Sequence, residues 1–197
     1  GATIVDIGFG TGFPLIELSQ RFGRQSQIYG IDIWEEGINR TKEKIKTLEL
    51  ENIEILEQSA SKIAITDHRI DIVTSNLGVN NFEEKEKVYQ EIKRILKPKG
   101  RLCITTNPIG TFSELFDVFR AVMVAMDLKN ALAKLEQYEA HRKSKSTIVK
   151  EFENIGLNLI NNTSDSTNMR FLDGAALLNH SLIRVGFRES WETMVGK

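Results

Sequence analysis

Asp6 stands two residues before the first of three glycines spaced at every second position, Gly8, Gly10 and Gly12. The apolar pair Ile4-Val5 runs directly into it. A carboxylate at the root of such a loop can hold a cationic or hydrogen-bond-donating ligand. The glycines let that ligand lie against the main chain, because they carry no Cβ and accept positive φ. A second carboxylate, Asp32, closes the run Gln27-Ile-Tyr-Gly-Ile, twenty residues beyond Gly12. Its two oxygens have lone pairs enough to accept both hydroxyls of a ribose. Further on, Asn80-Asn81 follows a third apolar run. Asparagine cannot take a proton at neutral pH, but it can orient a nucleophile. The three histidines, His68, His141 and His180, are scattered along the chain. No His, Cys, Asp or Glu cluster has metal-ligand spacing.

The glycine spacing separates ligands that use similar loops. A dinucleotide loop reads G-x-G-x-x-G, and its third glycine would fall at Phe13. A P-loop ends in Gly-Lys-Ser/Thr, whereas this loop ends Gly12-Phe13-Pro14. The loop is built for close backbone approach without an obvious phosphate partner.

The elements that must position these groups alternate between strand and helix, which argues for a parallel sheet covered on both faces. Strands are expected at 3–7, 27–33, 53–57, 70–75 and 101–107. Helices are expected at 12–21, stopped by Gly23, at 36–48, and at 84–96, where Pro98 forbids extension. From Thr111 to Arg142 there is no proline or glycine, and Leu115, Phe119, Val122, Met126, Leu132, Leu135 and Tyr138 recur at roughly helical spacing. This predicts two helices with a break near Asp127. Following strand five, they would leave the sheet at the end where ligands bind in open α/β folds. A lid over the substrate, a pair packed on the body, and a dimer surface are all readings of this segment. Then a helix is expected at 147–154, a strand at 157–161, and a last amphipathic helix capped by Asp173. Cys103 falls inside strand five and reads as a small core residue.

Asp6-x-Gly8-x-Gly10-x-Gly12 after a first strand resembles motif I of the class I S-adenosylmethionine-dependent methyltransferases. Arg69-Ile-Asp-Ile-Val-Thr-Ser resembles that family's fourth strand, and Leu96-Lys-Pro-Lys-Gly its Leu-Lys-Pro-Gly-Gly turn, with Lys99 in place of one glycine. The resemblance covers residues 3–107 well and continues more loosely to Phe187. It is closest to the small-molecule members of the type 11 kind. It implies a Rossmann-like, doubly wound α/β fold with a mostly parallel sheet and a helical insertion after strand five. One domain, 1–197, is expected, truncated at both ends, with 109–143 as the lid-like insertion. The resemblance implies S-adenosyl-L-methionine as cofactor and S-adenosyl-L-homocysteine as product. It places Asp6, Gly8, Phe9, Gly10, Thr11 and Gly12 at the methionine end, with Asp6 at the amino group directly or through water. Asp32 and Ile33 fall at the ribose and adenine, with Trp34 either flanking the ring or packing its helix. Ser59 stands where the family often has an acid, beside Ala60, and Asn76 closes strand four. Many small-molecule members carry His-His where this chain has Asn80-Asn81. That leaves alignment-driven catalysis, or a base from elsewhere such as His141 or His180.

Net charge is −1 with both signs interspersed, unlike the basic face of a nucleic-acid binder. No apolar run reaches the ~18 residues of a membrane span. The lone cysteine gives no internal disulfide framework, which fits the cytoplasm. The leading expectation is methyl transfer to a small-molecule acceptor, without nucleic acid or membrane as partner, and with a homodimer through the helical insertion as one arrangement. The alternatives are a non-catalytic S-adenosylmethionine-binding module and an NAD(P)-dependent oxidoreductase.

Overall fold

The computed structural model describes residues 1–196. They divide into two compact units, one of residues 1–107 and 148–158, the other of 108–147 and the described residues from 159 onward.

The first unit is built on a five-stranded sheet in the order β3-β2-β1-β4-β5. Its strands are β1 (Thr3–Ile7), β2 (Gln27–Asp32), β3 (Ile53–Glu57), β4 (Ile70–Asn76) and β5 (Leu96–Thr105). Every neighbouring pair is parallel. Its helices are α1 (Leu15–Phe22), α2 (Glu35–Thr47), α3 (Lys85–Ile95) and, from a segment beginning in the other unit, α6 (Lys145–Asn154). β1 is central and therefore apolar on both faces. Ile4 packs with Leu15, Ile28 and Ile38 on one side, while Val5 and Ile7 pack with Val88, Ile92 and Phe152 on the other. The chain reverses direction across the sheet between β1 and β4. That switch point opens a crevice at the carboxyl ends of these two strands.

Arg94 on α3 pins the β3–β4 connection. Its guanidinium donates to both carboxylate oxygens of Glu91 at 2.7 Å, to Asp67, and to the carbonyls of Ile63 and Ile65. Such a fork satisfies loop carbonyls that no ladder reaches.

β5 departs from expectation. It begins at Leu96 and carries an irregularity: Ile70 pairs with Leu96, yet Ile72 pairs with Arg101. The extra β5 residues hold Pro98 and Lys99, and Lys99 sits at φ 66°. The turn wants a left-handed residue, which is why glycine suits it and lysine is strained. β5 is also the outer strand of the sheet. Cys103, expected in the core, is exposed: it points to the face opposite that of Leu102 and Ile104, which pack against the core. No strand forms at 157–161: Leu157 packs partly buried against the core below α6, and Leu159 to Asn161 are exposed.

The second unit has its own core. α4 (Ser113–Ala125) and α5 (Lys129–Ala140) form a helical pair broken at Asp127, whose φ is 51°. The expected last helix is instead three short ones, α7 (Gly174–Asn179), α8 (Ser181–Gly186) and α9 (Arg188–Met194). Asp173 caps α7 as expected, accepting from the Ala176 amide at 2.7 Å. Phe116, Leu135, Ile183 and Trp191 are buried together, with Phe112, Phe119, Tyr138 and Phe187 around them. Trp191 stacks on Phe187 with ring centroids 5.7 Å apart. The segment 109–143 thus packs with the C-terminal helices around a core separate from that of the sheet. No described helix is long and apolar enough to cross a membrane.

Candidate functional site

β1 delivers Asp6 to the crevice with its side chain wholly buried. Pairing sets it opposite Gly30 on β2 and Thr74 on β4. Thr74 Oγ1 donates to Asp6 Oδ1 at 2.7 Å, while Asp6 Oδ2, equally buried, has no partner within the protein. Burial pushes this carboxyl from 3.8 up to about 7. The Thr74 hydroxyl holds it back, the charge of Asp32 pushes it further up, and the Leu15 amide at the start of α1 holds it back again, although that amide does not close a full hydrogen bond to either oxygen. A buried oxygen without a hydrogen bond is costly, and natural proteins keep such atoms mainly where a ligand or water will meet them.

The three glycines beyond Asp6 all have positive φ, 73°, 54° and 103° for Gly8, Gly10 and Gly12. They do different work. A Cβ on Gly8 would come 3.1 Å from Gly78 Cα, so the loops after β1 and β4 close on one another through two glycines. A Cβ on Gly12 would strike Ile16 and Thr41 of the neighbouring helices. A Cβ on Gly10 would meet nothing within 4 Å. The space over Gly10 is therefore open, and a side chain there would project into it.

The loop is held from α2 and β2. Gly10 N–H donates to Asp32 Oδ2 at 2.7 Å, and Gly10 C=O accepts from Thr41 Oγ1 at 3.0 Å. Lys44 Nζ donates to the Thr11 carbonyl at 2.6 Å. Gly37 lets the first turn of α2 approach the loop: a Cβ there would lie 2.9 Å from Gly10 O. None of these α2 residues was expected from the sequence. The one signal was Thr41, a polar residue three positions after Ile38 on a helix otherwise full of charge.

Asp32 is more heavily used than its residue type suggests. Besides Gly10, it accepts from the amides of Ile33 and Trp34 at 2.8 and 2.9 Å, both on Oδ1. A carboxylate has about four lone-pair positions. Three are taken, which leaves one open without displacing an amide. Ile33 is exposed beside it, 72%. Trp34 leans on its own helix: a Cβ on Gly37 would sit 2.5 Å from the indole Cε3.

At the end of β4, Ser75 Oγ donates to the Ile7 carbonyl at 2.8 Å and ties the two central strand ends together. Asn76 Oδ1 accepts from Thr105 Oγ1, and Asn80 Oδ1 accepts from Thr106 Oγ1, each at 2.5 Å. The Thr105 hydroxyl also receives the Leu77 amide. With their carbonyl oxygens engaged by Thr105 at the end of β5 and by Thr106 just beyond it, both asparagines keep their NH₂ groups as donors.

Of the residues marked from the sequence, Asp6, Gly8, Gly10, Thr11, Gly12, Asp32, Ile33, Asn76 and Asn80 come together at the carboxyl ends of β1, β2 and β4. Phe9 does not present its ring there; it is buried in the core against Gly30, leaving only its backbone. Ser59, just past β3, is exposed and bonded to Ser61 at 2.9 Å, and Ala60 packs into the core. Asn81 is exposed. His141 and His180 belong to the other unit, and His180 is exposed beside Phe171. His68 precedes β4, at the opposite end of that strand from the glycine loop, with Nδ1 3.0 Å from the Leu96 carbonyl.

A family model described as a methyltransferase domain matches residues 1–162. The arsenite methyltransferase of Halobacterium salinarum is 30% identical over 105 residues, covering 53% of this chain and 27% of that protein. The demethylmenaquinone methyltransferase of Listeria welshimeri is 31% identical over 127 residues, covering 62% of this chain and 54% of that protein. The chain thus spans about half or less of these two curated relatives. Among solved structures, a SAM-dependent methyltransferase from Aquifex aeolicus superposes with a TM-score of 0.59 at 24% identity, covering 80% of this chain and 72% of that one. That likeness establishes the fold.

Proposed function

The chain belongs to the methyltransferase domain family, and on that premise we propose that it binds S-adenosyl-L-methionine over its glycine loop and transfers the methyl group to a small-molecule acceptor. The observation that carries this reading is Asp6 Oδ2, a wholly buried carboxylate oxygen without a partner at the root of a loop whose centre faces open space. A ligand with an ammonium group and a compact chain supplies what that site lacks. Asp6 would receive the amino group, the Gly8–Gly12 main chain would line the methionine portion, and Asp32 would accept one ribose hydroxyl. Exposed Ile33 offers an apolar surface for the adenine, and Ser59 with Ala60 lies at the next strand end.

When bound, the cofactor supplies an electrophilic methyl on a sulfonium whose leaving group is neutral. Little remains for the protein beyond alignment and exclusion of water. Asn76 and Asn80, held by Thr105 and Thr106, can hydrogen-bond an acceptor and aim it. They cannot remove a proton, so the reading favours an acceptor that is already nucleophilic, or a base from outside the glycine-loop unit.

Thermal unfolding tests the donor half. S-adenosyl-L-homocysteine at ~100 times its Kd should stabilise the protein by roughly 2.7 kcal/mol, and NAD should not. Stabilisation by NAD alone would sink the reading and favour an oxidoreductase. A second reading, a cofactor-binding module without catalysis, draws on Asn80-Asn81 in place of a titratable base. Transfer of label from methyl-labelled cofactor to any member of a metabolite panel would eliminate it.

A further inference from the structure

We propose that ligand binding at the glycine loop is coupled to the loss of one proton from Asp6, so that the site is closed to its cationic ligand at acid pH and opens as pH rises. This rests on the reading of the loop as the cofactor's amino-group site. The geometry carries it. Asp6 is wholly buried between β2 and β4, its Oδ2 has no partner, and its one side-chain hydrogen bond comes from the neutral hydroxyl of Thr74. The elements around it bring no cation. β2 contributes Asp32, a like charge; β4 contributes Thr74; α1 contributes the Leu15 amide; and the loop from Gly8 to Pro14 is uncharged. On α2, Lys44 donates to the Thr11 carbonyl and Lys42 pairs with Glu57.

An ionised carboxylate in such a place lacks both water and a counter-charge, so the empty site favours the neutral acid. This agrees with a carboxyl pushed up to about 7. A ligand ammonium provides the missing charge. The balance is simple: the Asp6 carboxylic acid plus the ligand ammonium gives a carboxylate–ammonium pair and one proton released to solvent. No other bond forms or breaks. Because the ligand must displace that proton, affinity rises with pH until Asp6 is ionised in the free protein, and levels off there until the ligand's own ammonium begins to lose its proton.

Calorimetric titration with S-adenosyl-L-homocysteine tests this in two buffers of differing ionisation heat. Near pH 6, close to one proton should be released per ligand bound. At pH 8, release should approach zero, with binding about tenfold tighter than at pH 6. Thr74→Val removes the hydroxyl that favours the ionised form, so the midpoint of the affinity profile should move to higher pH. In Asp6→Asn, whatever affinity remains should be independent of pH over this range. An infrared difference spectrum of the intact protein should lose a protonated-carboxyl carbonyl band on ligand addition at pH 6. Tight binding with no proton release and a flat pH profile would overturn the proposal and leave the cofactor site intact. Absence of binding at every pH would instead overturn the cofactor reading on which it stands.

Discussion

At the residue scale, Asp32 shows how one side chain can be recognised by type and still be misjudged in use. Its carboxylate both clamps the glycine loop through Gly10 and reads the end of β2 through Ile33 and Trp34. Replacing it with alanine should therefore do two things. It frees the Gly10 amide, which loosens the loop, and it removes the proposed ribose acceptor. S-adenosyl-L-homocysteine affinity should fall by ~10-fold or more, the equivalent of about 1.4 kcal/mol or above, since hydrogen bonds to charged groups contribute about 1.5–3 kcal/mol each. Asp32→Asn keeps the shape but replaces one oxygen by a donor facing an amide or a hydroxyl, so it should bind little better than the alanine variant. Equilibrium dialysis with labelled ligand measures both. An affinity unchanged in Asp32→Ala would remove Asp32 from the site.

At the scale of elements, β5 and the turn that leads into it give two expectations. Lys99 holds a left-handed backbone at φ 66°, with the ladder irregular around it. Lys99→Gly relieves a conformation that costs an L-residue roughly 1 kcal/mol, offset in part by the extra freedom glycine has when unfolded. Denaturant midpoints should move up slightly; a clear loss of stability would show that the lysine side chain holds the turn together. Cys103 lies on the same strand with its side chain exposed, so a thiol reagent should modify the folded protein at a rate near that of a free cysteine. Protection until unfolding would mean that β5 is covered in solution. The sequence marked Cys103 as a strand residue correctly, since alternation along β5 is plain. Whether each face of a strand is covered depends on what packs against it, and no local pattern encodes that.

At the scale of the whole molecule, the buried Asp6 carboxyl shapes stability as well as binding. Its folded value near 7 stands above the ordinary 3.8. Between those pH values the unfolded chain gives up the proton that the folded one keeps. This contribution therefore favours the fold fully below pH 4, is lost as pH rises to about 7, and leaves the folded state less stable above that. Chemical denaturation of the free protein should show stability falling across this window, and Asp6→Asn should flatten the fall. Opposed to it are groups such as Asp71 and Glu91. Hydrogen bonds from Lys97 and Arg94 respectively hold these carboxyls low, and their stabilisation is lost only in acid. A wild-type profile that Asp6→Asn leaves unchanged from pH 4 to 7 would mean Asp6 is ionised in the folded state.

The chain by itself determined the alternation of strand and helix, the carboxylates Asp6 and Asp32, the glycine spacing that separates this loop from dinucleotide and phosphate loops, and the break at Asp127. These are local properties: period, φ tolerance and charge act within a few residues of one another. Tertiary structure alone decided that Asp6 has one oxygen bonded to Thr74 and one bare. It also decided that three amides already occupy Asp32, that Gly78 closes on Gly8, and that Thr41 and Lys44 grip the loop from α2. Those facts depend on which strand lies beside which and how closely their ends meet, and sixty-eight residues separate Asp6 from the threonine that bonds it.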